Sequence, residues 1–317
     1  MTSTDRRVAG LVAFGVGVIV AVQGRINGEV GDLTGNGVLG AVLNFSVGLV
    51  LLTVIVASRE VTRKAFASIP QLVRDGSLAW WALAGGVGGA IYVTGQSTTV
   101  AVLGVALFTV ATVAGSTGAS LLVDKVGLGP GGRVPVTAWR VVAAVLAIAA
   151  VWVGSGGRDD TTVGSVSLPF LLLALAAGAA GAAQVAVNGR VSVATGQVLV
   201  ATLVNFMVGL VTLFGILAVQ SILDPDGVGT ISPVLERPWL LVAGGMGVLF
   251  VAGSAWSVKA LGVLLLSLVV LAGTLVGAVV VDLVVPTEGA TVNGYLIAGI
   301  VLTFVSVGLA AWRRRLR

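Results

Sequence analysis

Residues Val22–Val30 read VQGRINGEV. They end a run of fifteen residues, Val8 to Val22, that carries no charge and nothing more polar than glycine. That run alone is too short to cross about 30 Å of hydrocarbon at roughly 1.5 Å per residue. The helix is therefore expected to continue through Gln23 and Asn27, whose spacing of four puts both carboxamides on one face. A second stretch, AQVAVNGRV at Ala183–Val191, repeats Gln-x-x-x-Asn-Gly at Gln184 and Asn188.

The repeat extends in both directions. At a constant offset of 161, Gly17 matches Gly178, Thr34-Gly35 matches Thr195-Gly196, and Asn44-Phe45 matches Asn205-Phe206. Later, Trp80 and Gly85-Gly86-x-Gly88 match Trp239 and Gly244-Gly245-x-Gly247. Leu103-Gly104-Val105 matches Leu261-Gly262-Val263, Gly115 matches Gly273, and Val123-Asp124 matches Val281-Asp282. An ordered series of this length marks a duplicated unit. It also settles the reading of Arg6-Arg7 before an apolar run, which has the form of a signal peptide. Because the matching segment lies mid-chain, the first run reads as a retained span.

The rest of the composition agrees with a membrane chain. Of 317 residues, 57% are hydrophobic and 10% charged, with mean hydropathy +1.09. Soluble domains carry about a quarter charged residues. No alternation of apolar and polar residues supports a β-barrel. The 46 glycines suit close helix approach in lipid. The net charge of +5 is scattered over loops, which argues against a nucleic-acid partner. Cysteine and histidine are both absent, so thiolate sites and the commonest general base are missing.

Apolar runs predict an all-α integral membrane protein with ten transmembrane helices, at about 8–28, 37–57, 79–97, 101–123, 138–154, 167–188, 198–219, 239–257, 260–283 and 294–312. Five spans per unit form two repeats, 1–154 and 167–317, joined by a linker at 155–166. An odd number of spans sends the second copy into the membrane from the opposite side, giving inverted repeats. Of the basic residues, fifteen fall on the side of the N-terminus and three, Arg25, Arg158 and Arg237, on the other. That bias predicts cytoplasmic termini. Trp80, Trp81, Trp139, Trp152, Trp239 and Trp312 fall near span ends, as an aromatic belt requires.

The pattern Gln-x-x-x-Asn, then Asn-Phe-x-Val-Gly, then Trp-Trp-x-x-x-Gly-Gly-x-x-Gly, then an aspartate closing the fourth span, resembles the drug/metabolite transporter superfamily. More narrowly, it resembles the YdcZ-like branch of bacterial inner-membrane exporters. The resemblance covers nearly the whole chain and occurs once per half, like a fused form of a five-span unit. It implies a multi-pass inner-membrane transporter that works by alternating access through a cavity between the halves. Related small multidrug carriers use a glutamate in the first helix for proton exchange, and this chain has no acid inside that helix.

Gln23, Asn27 and Asn44 near one boundary, and Gln184, Asn188 and Asn205 near the other, are the candidate substrate-binding residues. They would line the two ends of a pathway, and uncharged amides suit neutral or zwitterionic solutes, or cations solvated by carbonyls. The alternative is hydrogen bonding between helices, worth about 0.6 kcal/mol on average. Tyr92, Gln96, Ser116 and Trp256 are further candidates for the cavity wall. No carboxylate sits in the middle of a span. Asp124 and Asp282 each end an apolar run, where the helix dipole disfavours negative charge. They are candidates for ion coupling, or else solvated ends, with Lys125 a partner for Asp124.

Gly85-Gly86-Val87-Gly88-Gly89 has no strand before it and reads as helix packing rather than a nucleotide loop. Gly273-x-x-x-Gly277 and Gly115-x-x-x-Ala119 read the same way. No cofactor or metal site is expected. The usual catalytic constellations are missing, so an intramembrane enzyme is not expected. A channel should show a continuous polar lining, and none appears. The function that remains is a carrier, in the exporting direction, for a small metabolite or amphipathic compound, with a membrane scaffold or channel-like protein as the alternative.

Overall fold

The computed structural model describes residues 3–156, 164–286 and 292–312. Most of the 155–166 linker lies outside them, as do Arg158, Glu288 and the basic tail from Arg313. Among the described residues the regular structure is helical: α1 (Ser3–Thr34), α2 (Gly37–Ser58), α3 (Glu60–Ala67), α4 (Ile69–Arg74), α5 (Gly85–Val126), α6 (Ala138–Gly154), α7 (Gly164–Thr195), α8 (Val198–Leu223), α9 (Ser232–Leu235), α10 (Val242–Val284) and α11 (Gly294–Trp312). Among the described residues eight segments are long and apolar enough to cross a membrane, and α6 is an apolar helix of 17 residues. Val50, Val54, Val145, Ile148, Val211 and Phe214 are exposed on the outside of the bundle, where water would penalise them and lipid does not.

α1 runs past its expected end at residue 28 to Thr34. Its polar last turns are held by charge pairs. Arg25 stands 3.8 Å from Glu29 one turn on, and Glu29 meets Arg237 at 3.3 Å. Gly35 ends the helix at φ 68°, and the Asn36 side chain accepts from Val38 N–H and Leu39 N–H to cap α2. The second copy turns in the same way at Gly196, φ 66°.

The expected breaks at 97–101 and 257–260 are displaced and much shorter. α5 continues to Gly104 (φ 77°, ψ 165°) and α10 to Gly262 (φ 71°, ψ 165°), and each resumes at the next residue. The contacts give the direction of each limb. Along α7, Gly85 lies beside Asn188, Gly88 beside Ala180 and Gln184, and Gly95 beside Ala177, so limb 85–103 is antiparallel to α7. In the second limb Gly115 packs on Leu175, while Arg190 reaches the carbonyls of Gly127 and Leu128 at 2.7 and 2.6 Å. Limb 105–126 is thus parallel to α7, and α5 folds back on itself at Gly104. α10 does the same along α1. Ala243 O accepts from Gln23 and Gly253 packs on Val16, whereas Gly273 packs on Phe14 and Val285 O accepts from Arg25. Only glycine takes such a positive φ without strain.

Glycine is what permits these contacts. A Cβ on Gly17 would overlap the Val270 carbonyl, and one on Gly178 the Thr112 carbonyl. A Cβ on Gly115 or Gly273 would overlap the carbonyl of Leu175 or Phe14. Gly86 lies against Asn205 and Gly209, and Gly244 against Asn44 and Gly48. The glycine clusters are packing surfaces, as expected from their setting. Each of these contacts joins a helix of one copy to a helix of the other, so the copies interlock.

Candidate functional site

The six candidate amides fall into two groups. In the first, Asn44 Nδ2 donates to Asn27 Oδ1 at 2.9 Å, tying α2 to α1. Asn27 Nδ2 donates in turn to Gln96 Oε1 at 2.7 Å, adding the first limb of α5. Asn27, Asn44 and Gln96 are 1%, 6% and 5% exposed. Gln23, one turn earlier, donates to Ala243 O at 2.9 Å and so ties α1 to α10. Gln96 belongs to this cluster, although its sequence context gave it no more weight than Tyr92 or Ser116. A cavity of about 10 Å³, the room of a single water, lies beside Asn27 and Asn44 against Leu240 and Gly244.

In the second group, Asn188 Nδ2 donates to Asn205 Oδ1 at 2.9 Å, tying α7 to α8. Gly85 leaves the room that the Asn188 amide occupies, and Gly89 faces the amides of both Gln184 and Asn205 at 3.1 Å from where a Cβ would stand. Asn205 is buried, while Asn188 and Gln184 are half-buried. Hydrogen bonds between helices, the alternative reading of these amides, are therefore present in both copies.

Between the groups stand two phenylalanines. The rings of Phe45 and Phe206 stack with centroids 4.7 Å apart and planes at 30°. Each ring occupies space that a glycine of the other copy leaves open. A Cβ on Gly48 would overlap the Phe206 ring, and one on Gly209 the Phe45 ring. Tyr92 packs edge-on against Phe108 inside the core. Trp256 is half exposed on the outside of the bundle, not on a cavity wall. A larger open groove of about 540 Å³ lies away from the amides, against Leu121, Leu122 and Lys125.

Of the two readings of the aspartates, the solvated helix end does not hold. Asp124 pairs with Arg140 on α6, and both side chains are largely buried. Asp282 is no solvated helix end: it is 4% exposed. Its Oδ1 accepts from Val105 N–H at 2.9 Å and its Oδ2 from Ala106 N–H at 2.8 Å. Those are the first amides after Gly104, so the carboxylate caps the second limb of α5. The dipole of its own helix disfavours the charge there, but the N-terminus of another helix welcomes it. Among the described residues no three His, Cys, Asp or Glu side chains gather as metal ligands do.

The profile of one family, described as "Putative inner membrane exporter, YdcZ", matches residues 8–153 and again residues 169–309. The two matches fall on the two copies of the repeat. A solved structure titled "Crystal structure of protein" superposes over 100% of both chains with a TM-score of 0.55 and 17% identity, which shows a shared fold alone. No curated protein matches the chain.

Proposed function

The chain belongs to the YdcZ family of inner-membrane exporters, a multi-pass transporter family, and we propose that it moves its solute by alternating access between two inverted five-helix repeats. The repeats are residues 1–154 and 167–317, with both termini cytoplasmic. Ten crossings follow if each fold-back in α5 and α10 counts as two spans and α6 as one. The family match in two blocks, the reciprocal limb directions along α1 and α7, and the charge bias support this arrangement.

The observation that carries the reading is the matched pair of hydrogen bonds, Asn27–Asn44 and Asn188–Asn205, each 2.9 Å long and each joining the first two helices of its repeat. In this reading Gln23, Asn27, Asn44 and Gln96 line the outer mouth, and Gln184, Asn188 and Asn205 the inner one. Uncharged amides whose hydrogen bonds can be exchanged for those of a solute suit a neutral, zwitterionic or amphipathic compound. Asp282 and Asp124 are the carboxylates that could couple transport to ions, one near each mouth.

The test has two steps. A panel of small metabolites is screened by ligand-induced thermal shift, and the compound that shifts melting most is used in counterflow with proteoliposomes. The reading requires saturable counterflow that Asn27→Leu and Asn188→Leu each abolish per folded molecule. Full counterflow in both variants would leave the amides a purely structural role.

A further inference from the structure

The two amide groups are separated by the stacked phenylalanines, and that stack is built in an unusual way. Phe45 follows Asn44 in the outer group, yet its ring leans to the inner one. Its Cζ lies 3.3 Å from where a Cβ on Gly89 would stand, and that same point is 3.1 Å from the Asn205 and Gln184 amide nitrogens. Phe206 follows Asn205 in the inner group and leans the other way. Its Cζ lies 3.5 Å from a Cβ position on Gly247, which is 3.7 Å from the Gln23 amide nitrogen. The stack therefore fills the space between the groups, with one ring from each repeat.

We propose that Phe45 and Phe206 form the central gate of the transporter and are the residues a passing solute must part. This rests on the reading of the amide groups as the two mouths of one pathway. The gate has two apolar faces in contact, so no polar group is left without a partner when it closes. Each ring sits in a socket made by a glycine of the opposite repeat, Gly209 for Phe45 and Gly48 for Phe206. Rigid rocking of one repeat against the other moves each ring and its socket in opposite senses. The relative motion that alternating access requires is thus the motion that separates the rings. A solute between them would meet an aromatic face on either side and amides at either end. That combination selects compounds with a flat apolar or cationic part and a hydrogen-bonding part.

The test needs no substrate, because the chain has no cysteine of its own. Gln184→Cys is introduced on the inner side and probed in intact cells with a small, membrane-impermeant methanethiosulfonate applied from outside. The reagent applied to inverted vesicles serves as the control. With both phenylalanines present, labelling is expected from the cytoplasmic side and at background from outside. With Phe45→Ala and Phe206→Ala together, labelling from outside should rise about tenfold or more, while Phe45→Leu with Phe206→Leu should stay near background. External labelling unchanged in a folded double-alanine variant would overturn the gate. If the double-alanine chain does not fold, Phe206→Ala alone carries the same expectation at about threefold, and its failure to raise labelling overturns the gate equally. Failure of the pathway reading looks different: Gln184→Cys would then resist the reagent from both sides with or without the rings.

Discussion

The first amide group, proposed as the outer, and the second, proposed as the inner, share one sequence pattern, yet they are closed to different degrees. At the outer group Gln96 joins Asn27 and Asn44 in a chain of three buried amides. The counterpart of Gln96 in the second copy falls at Ser254 or Ala255, and neither can bridge as an amide does. The Ser254 hydroxyl is buried without a hydrogen-bond partner, and Asn188 and Gln184 stay half-buried. The first copy ties its amide group together with side-chain hydrogen bonds, and the second leaves its group looser. The difference teaches that the repeated motif fixes where the amide groups lie, while single substitutions between the copies set how tightly each group is closed.

The largest expected effects test the symmetric part of that comparison. Gly115→Ala and Gly273→Ala push a methyl into a backbone carbonyl of the facing helix, at Leu175 and Phe14. Overpacking of this kind costs about 2–3 kcal/mol. Both variants should lose most of their folded yield in thermal size-exclusion measurements, and to the same extent. Gly118→Ala, with open space around it, should behave as the parent does. Unequal losses at Gly115 and Gly273 would break the equivalence of the two helix contacts.

The aspartates give the next effect. Asp124→Ala strands the Arg140 guanidinium, at a cost of about 3 kcal/mol for a mostly buried pair. Arg140→Leu in the same chain should restore much of the melting temperature. Asp282→Ala removes a carboxylate cap on two amides, worth about 1–2 kcal/mol, and Arg140→Leu should not restore it. Rescue of both aspartates by Arg140→Leu would mean that the two ends are built alike after all.

The smallest effect sharpens the asymmetric part. Asn27→Leu orphans two partners, Asn44 and Gln96, whereas Asn188→Leu orphans Asn205. At about 0.6 kcal/mol for each hydrogen bond in a membrane setting, Asn27→Leu should melt lower by roughly twice the decrement of Asn188→Leu. Equal decrements would show that Gln96 adds nothing to the outer seal.

These contrasts also mark what could be read in the sequence. The apolar runs and the duplicated Gln-x-x-x-Asn and Asn-Phe motifs placed the helices and brought Asn27 to Asn44 and Asn188 to Asn205. The breaks inside α5 and α10 were misplaced because a turn of one residue leaves no polar loop. The available signal was the repeated Leu103-Gly104-Val105 and Leu261-Gly262-Val263, identical triplets where a loop would be free to vary. The capping role of Asp282 was not legible for another reason. Its own helix gave the dipole argument, while the amides it caps lie 177 positions away and belong to a different helix. Gln96 and the crossing of the two phenylalanine rings are likewise tertiary facts. Periodicity assigns a residue to a face, but it does not say which copy of the repeat that face will meet.

In the proposed arrangement one five-helix unit occurs twice in opposite orientations, and the chain's lack of cysteine allows a direct test. Ala67 and Asp226 are exposed, and each follows the second helix of its repeat. Single cysteines at the two positions are probed with a membrane-impermeant maleimide in intact and permeabilised cells. Inversion predicts that Asp226→Cys reacts in intact cells and that Ala67→Cys reacts only after permeabilisation. Reaction of both from the same side of the membrane would contradict it.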